Sequence, residues 1–243
     1  MSLRTFIKKM LLIALLSTIS LSAARAGIMV NKTRIIFNQN DNSATATLSN
    51  VSKDNYAVQV WINGESERSD EEIPFIVTPT LFRVAPSEEQ IVKIIPLPRP
   101  ALPTDRESVY YFNAQEIPTV SKTGASNQLT VAIRTRLKLF YRPTGLAGSP
   151  DQAAATLKWA RVDQGGQAHL RVTNPSPWNL SFSEIRFSSG GHTFNVSDPV
   201  MLKPFSHHDY ALSGKTASRQ GTVHFSIIND YGGISPKPDV TLD

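Results

Sequence analysis

Beyond its first 26 residues the chain never sustains a 3.6-residue apolar period for three turns. Short runs rich in β-branched and aromatic residues recur instead, each stopped by proline, glycine or asparagine. Such runs suit a pleated, half-buried surface. They cover 28–37, 43–48, 56–62, 75–77, 90–95, 109–112 and 129–141. Pro96, Pro98, Pro100 and Pro103 exclude a helix between 90–95 and 109–112, and 65–72 and 101–108 have room for a single turn each. The chain is therefore expected to be all-β.

The rhythm pauses at 143–150 (PTGLAGSP), a linker composition, and then restarts at 154–162, 169–173, 180–187, 193–196, 200–202, 210–212 and 223–228. Two sets of strands at sandwich spacing predict two immunoglobulin-like β-sandwich domains. The expected division is 27–143, a linker at 144–150, and 151–243. Trp61, in the third run, is expected to be a core tryptophan. No cysteine is present, so each domain must be held by its apolar core alone.

Residues 1–26 read as a signal peptide. Arg4, Lys8 and Lys9 precede an apolar stretch from Met10 to Leu21, and Ala24-Arg25-Ala26 is a small-x-small cleavage site. The stretch is short for a membrane span, and no stop-transfer pattern follows. The mature chain, from Gly27, is thus expected not to insert in a membrane. The signal carries four basic residues and no acid, so the formal charge of +5 falls to +1 on its removal. The basic balance therefore gives no support for nucleic-acid binding. In a bacterial source the expected location is the periplasm.

Enzyme signals are weak. No glycine-rich phosphate loop follows a strand, and thiolate chemistry is absent with cysteine. His207 and His208 are adjacent, so on a strand they face opposite ways and form no metal pair. The acidic run from Glu65 to Glu72 reads as a solvated loop. No metal or cofactor is expected.

The most informative stretch is Leu129 to Pro143 (LTVAIRTRLKLFYRP), long against a typical strand of about 5–6 residues. Leu129, Val131, Ile133, Leu137, Leu139 and Tyr141 form one alternate set, and Arg134, Arg136, Lys138 and Arg142 the other. Its second half fits a central strand. Its first half, after the polar segment 121–128, fits an edge strand, which is tolerable where its purpose is to pair with another chain.

Four stretches resemble the PapD-like pilus-assembly chaperones, in the family's order and over nearly the whole mature chain. They are Thr33 to Phe37 (TRIIF), Asp105 to Asn113 (DRESVYYFN) with Glu116-Ile117-Pro118, Arg136 to Pro143 (RLKLFYRP), and Ile228 to Gly233 (INDYGG). The short segment after Pro118 and the lack of cysteine are similar to the family's short-loop subgroup. The resemblance implies two immunoglobulin-like domains in an L or boomerang with a cleft between them. It implies that Arg34 and Lys138 hold the C-terminal carboxylate of a pilus subunit. Leu129, Val131 and Ile133 would fill the subunit's groove as a donor strand until an outer-membrane usher exchanges it. Glu107, Arg142 and Asp230 would form a structural ion network between the domains. A homodimer that caps the open edge of the free protein is a further expectation.

One parity problem follows. Lys138 belongs to the even set and the donor residues to the odd, so either a bulge intervenes or Lys138 reaches the cleft from the other face. Two other functions make different demands on the sequence. A secreted structural adhesin or pilus subunit should show an N-terminal donor extension and usually a disulfide. An enzyme on the same scaffold should show a convergent titratable cluster.

Overall fold

A computed structural model describes residues 27–68, 71–98, 102–118, 131–212 and 220–243. In chain order its strands are β1 (Ile28–Val30), β2 (Arg34–Asn38), β3 (Ala44–Asn50), β4 (Tyr56–Asn63), β5 (Phe75–Thr78), β6 (Leu81–Val84), β7 (Glu89–Pro96), β8 (Ser108–Pro118) and β9 (Arg134–Arg142). After a short helix α1 (Pro150–Ala154) come β10 (Lys158–Gln164), β11 (Gln167–Asn174), β12 (Phe182–Ser189), β13 (His192–Asn195), β14 (Ser206–Ala211), β15 (Gly221–Ile228), β16 (Ile234–Pro236) and β17 (Val240–Leu242).

The first nine strands make two sheets, ordered β1-β3-β7-β5 and β2-β9-β8-β4-β6. Alternate residues of each sheet turn inward. Phe37, Leu48, Ile94, Phe112 and Leu139 are fully buried between them. Phe37, Phe75, Tyr110 and Tyr141 form a ring cluster across this core, with Phe37 and Phe75 centroids 5.1 Å apart. The later strands repeat the plan, with β10-β11-β14 facing β13-β12-β15-β16 and β17 also paired to β15. Leu170, Leu180, Ile185, Phe187 and Ile227 fill that second core.

Three expectations change. The run 28–37 is two strands, because the polar Asn31-Lys32-Thr33 interrupts it. Asn31 donates its backbone N–H to Thr47 O and accepts from Thr47 N through its side chain, each at 3.0 Å. The chain then crosses from the first sheet to the second and enters β2 at Arg34. Trp61 is not a core residue. Val58 and Val60 point inward, which sends Trp61 to the outer face under the Arg134 guanidinium, 5.8 Å from its ring. The buried tryptophans are Trp159 and Trp178. Finally, 154–162 is not one strand. Ser149 caps α1 by accepting from Gln152 N at 3.3 Å, Pro150 starts it, and Ala153 and Ala154 are buried before β10 begins.

β9 carries the arrangement of interest. It pairs antiparallel with β8 from Arg134 to Tyr141 without a shift of register. On its other side β2 lies parallel to it, from Arg34 opposite Lys138 to Asn38 opposite Arg142. Residues 138–141 thus have a neighbour on each side. Residues 134–137 have β8 alone among the described residues. The regular register answers the parity problem: no bulge intervenes, and Lys138, Phe140 and Arg142 face away from the core that holds Leu139.

Candidate functional site

The even face of β9 looks into the junction between the two sandwiches. At its far end Arg142 makes a two-sided bridge. Its Nε and Nη2 donate to Glu107 Oε1 at 2.9 and 2.8 Å, and its Nη1 donates to Asp230 Oδ2 at 2.9 Å. Glu107 Oε2 accepts from Asn179 N of the second domain at 3.0 Å, and the Arg142 guanidinium sits 4.8 Å from the Trp178 ring. Glu107 is buried, and burial pushes its carboxyl above the ordinary glutamate value. Arg142 and the Asn179 hydrogen bonds pull it back only in part. Breaking such a pair from one side leaves an uncompensated buried charge. The three residues named from the resemblance therefore meet, with two members from the first domain and one from the second.

The cationic row of β9 is not uniform. Arg134 and Arg136 both pair with Glu67, at 2.6 and 3.2 Å. Arg136 also donates to Gly64 O at 3.1 Å and lies 3.8 Å from the Tyr111 ring. The acidic run after Asn63 is therefore not simply solvated, since Glu67 folds onto this row and Glu65 pairs with Lys203 of the second domain. Lys138 differs. Among the described residues it has neither a hydrogen bond nor an ion pair. Burial lowers its amine pKa, and the nearby cations Arg34 and Arg136 lower it further, against a smaller opposing pull from Glu65.

Arg34 stands beside it by register. Its Nη1 donates to Ile228 O at 2.9 Å, and its guanidinium lies 5.9 Å from the Phe140 ring. Burial lowers its pKa too, with Asp230 and Glu107 opposing. A hollow of about 370 Å³ opens next to it, lined by Arg34, Ile36, Asp230 and Tyr231 among others. Two half-buried cations at close quarters, without ion-pair partners among the described residues, form a site that an anion would relieve.

Val131 and Ile133 precede β9 and are 62% and 40% exposed. The chain is already held there, since Glu116 N donates to Ile133 O at 2.9 Å. Leu129 lies outside the described residues. Sequence reasoning had no signal for the difference between Lys138 and its neighbours. The groups that occupy Arg134 and Arg136 lie some seventy residues earlier in the chain.

Fold and cleft together define a two-domain immunoglobulin-like binding protein with a strand edge that is unpaired among the described residues, next to two cations. A family model for "Pili and flagellar-assembly chaperone, PapD N-terminal domain" matches residues 27–147, and one for "Pili assembly chaperone PapD, C-terminal domain" matches 152–238. The chain belongs to this family of pilus-assembly chaperones. The probable fimbrial chaperone YadV of Escherichia coli K12 is 35% identical over 219 residues, covering 87% of this chain and 89% of YadV. The YadV crystal structure, at 34% identity, gives a TM-score of 0.78 over 89% of this chain and 100% of that one. The SafB chaperone, solved with the SafA pilin of Salmonella enterica, gives 0.76 at 25% identity, over 91% and 99%. The relatives are chaperones, not the adhesins or pilus subunits of the alternative reading. The family's work is folding and delivery, not catalysis.

Proposed function

We propose that this chain is exported, loses residues 1–26, and works in the periplasm as a chaperone that lends a strand to pilus subunits. The observation that carries the reading is the abrupt change of neighbours along β9 at Lys138. A subunit strand laid on the free edge at 134–137 would continue the line of β2 and stop where Arg34 begins. For its C-terminal carboxylate to reach Arg34 and Lys138, that strand must run parallel to β9. Each charge-assisted hydrogen bond to the carboxylate is worth roughly 1.5–3 kcal/mol. Val131 and Ile133, with Leu129, would enter the subunit's groove, at roughly 1.5–3 kcal/mol for each side chain fully buried.

The pilin bound by SafB supports this choice of partner. In the same reading the domains divide at 143 and 151, the Glu107–Arg142–Asp230 bridge fixes the angle between them, and an outer-membrane usher receives the loaded subunit. The exposure of Val131 and Ile133 supports a self-capping homodimer when no subunit is present. The test is co-purification with a pilus subunit from periplasm. Arg34→Ala and Lys138→Ala are each expected to abolish capture while the circular dichroism spectrum stays unchanged. Undiminished capture by both would reject the anchor.

A further inference from the structure

Glu116 stands apart from the other acidic residues of the first domain. It lies on the inward face of β8, in line with Phe112 and Ala114, and is only 4% exposed. Buried carboxylates are normally paired with a cation. Among the described residues no ion pair reaches Glu116. Its side-chain partner is the backbone N–H of Ile28, which donates to Oε1 at 2.8 Å.

Ile28 is the second residue after the expected cleavage site. The nitrogen of Gly27 lies one residue back, within about 3.6 Å by standard backbone geometry. In the precursor that nitrogen belongs to a neutral amide. Once residues 1–26 are removed it becomes an ammonium with a full positive charge and three donors. The missing counter-charge would then arrive beside the buried carboxylate.

The surroundings of Gly27 form a fitted seat for such a terminus. Its carbonyl accepts from Val51 N at 3.0 Å, which ties it to the end of β3. The Tyr56 ring covers its Cα so closely that an added Cβ would stand 2.6 Å from the ring. A side chain at this position would force the Tyr56 ring to shift.

We infer that Glu116 is the counter-ion of the amino terminus created by export processing, so that cleavage itself locks β1 onto the first domain. This rests on the reading of residues 1–26 as a removable signal. The consequence reaches the anchor. β1 leads through Asn31-Lys32-Thr33 into Arg34, so seating the terminus fixes the crossing that delivers this cation. The precursor would lack the lock and reach it only after crossing the inner membrane.

Four purified forms test the pairing. The otherwise mature chain starts either at Gly27 or at Ala26, released from a cleavable tag, and each is made with and without Glu116→Gln. The readout is hydrogen exchange at the Ile28 amide. Starting at Ala26 is expected to cut protection roughly tenfold when Glu116 is present, because the ammonium moves away from its partner. Glu116→Gln should do the same to the Gly27 form, although glutamine still offers an acceptor oxygen. Together the two changes should cost no more than either alone. Equal, additive losses would mean that the extra residue merely obstructs the seat, and that result, or no loss in either single form, overturns the pairing. Amino-terminal sequencing of the exported protein is a separate check. A start other than Gly27 would overturn the cleavage reading, while the four forms still decide whether Glu116 and an ammonium at Gly27 interact.

Discussion

The two halves of β9 both carry basic residues at even positions, yet their situations are opposite. From 138 to 141 the strand lies between β8 and β2, with Leu139 fully buried, and Arg142 at its end is bridged to Glu107 and Asp230. From 134 to 137 it has β8 as its one neighbour among the described residues. A row of basic residues thus accompanies an enclosed strand in one half and an open edge in the other. What distinguishes them is the neighbour, and the boundary falls where β2 begins.

The largest expected effect tests the enclosed half. Leu139→Ala should destabilise the first domain by about 2–5 kcal/mol, through lost burial and the cavity left behind. Urea unfolding checks this. If the loss is below about 1 kcal/mol, the enclosed half is not the rigid member of the pair.

The corresponding change beyond the open half should leave stability alone. Ile133→Asp places a charge on a side chain that solvent already reaches, so its unfolding midpoint should move by no more than about 0.5 kcal/mol. Capture of a pilus subunit should fall sharply, since the aspartate would be driven into an apolar groove. Loss of cooperative unfolding in this variant would show that Ile133 belongs to the chaperone's own core and would erase the contrast.

The sequence reveals this contrast only in part. The strands of both sandwiches are legible because a two-residue period and proline, glycine or asparagine stops are local properties. Where 28–37 divides was harder to read, because its polar break is only three residues long and the reason for it is Thr47 on another strand. The outward placement of Trp61 was misread because an aromatic residue fits either face of a half-covered sheet. α1 was missed because five residues hold no period, although Ser149 and Pro150 are a recognisable start. At the cleft, alternation puts Lys138 and Arg142 on one face, and the resemblance suggested which cations to compare. It took the fold to show that Glu67 occupies Arg134 and Arg136 while Lys138 has no ion pair among the described residues, because that depends on a loop some seventy residues away.

The smallest effect lies at the boundary itself. Lys138 has an amine pKa below the ordinary lysine value of 10.5, first because it is partly buried and next because Arg34 and Arg136 are near. A depressed lysine favours folding above its unfolded pKa, and that contribution is lost as pH falls through the lowered folded value. The fold therefore disfavours the charged form of Lys138. Lys138→Met should accordingly leave the unfolding midpoint at pH 7 unchanged or slightly raised, even as it removes half of the proposed anchor. Arg34→Ala should let the Lys138 amine titrate closer to the ordinary value without restoring it fully, because the burial remains. NMR titration of the Lys138 side chain in the two proteins measures this directly. An amine that titrates identically with and without Arg34 would mean the two cations do not sense each other, and the boundary would then be a break in strand pairing with no electrostatic character of its own.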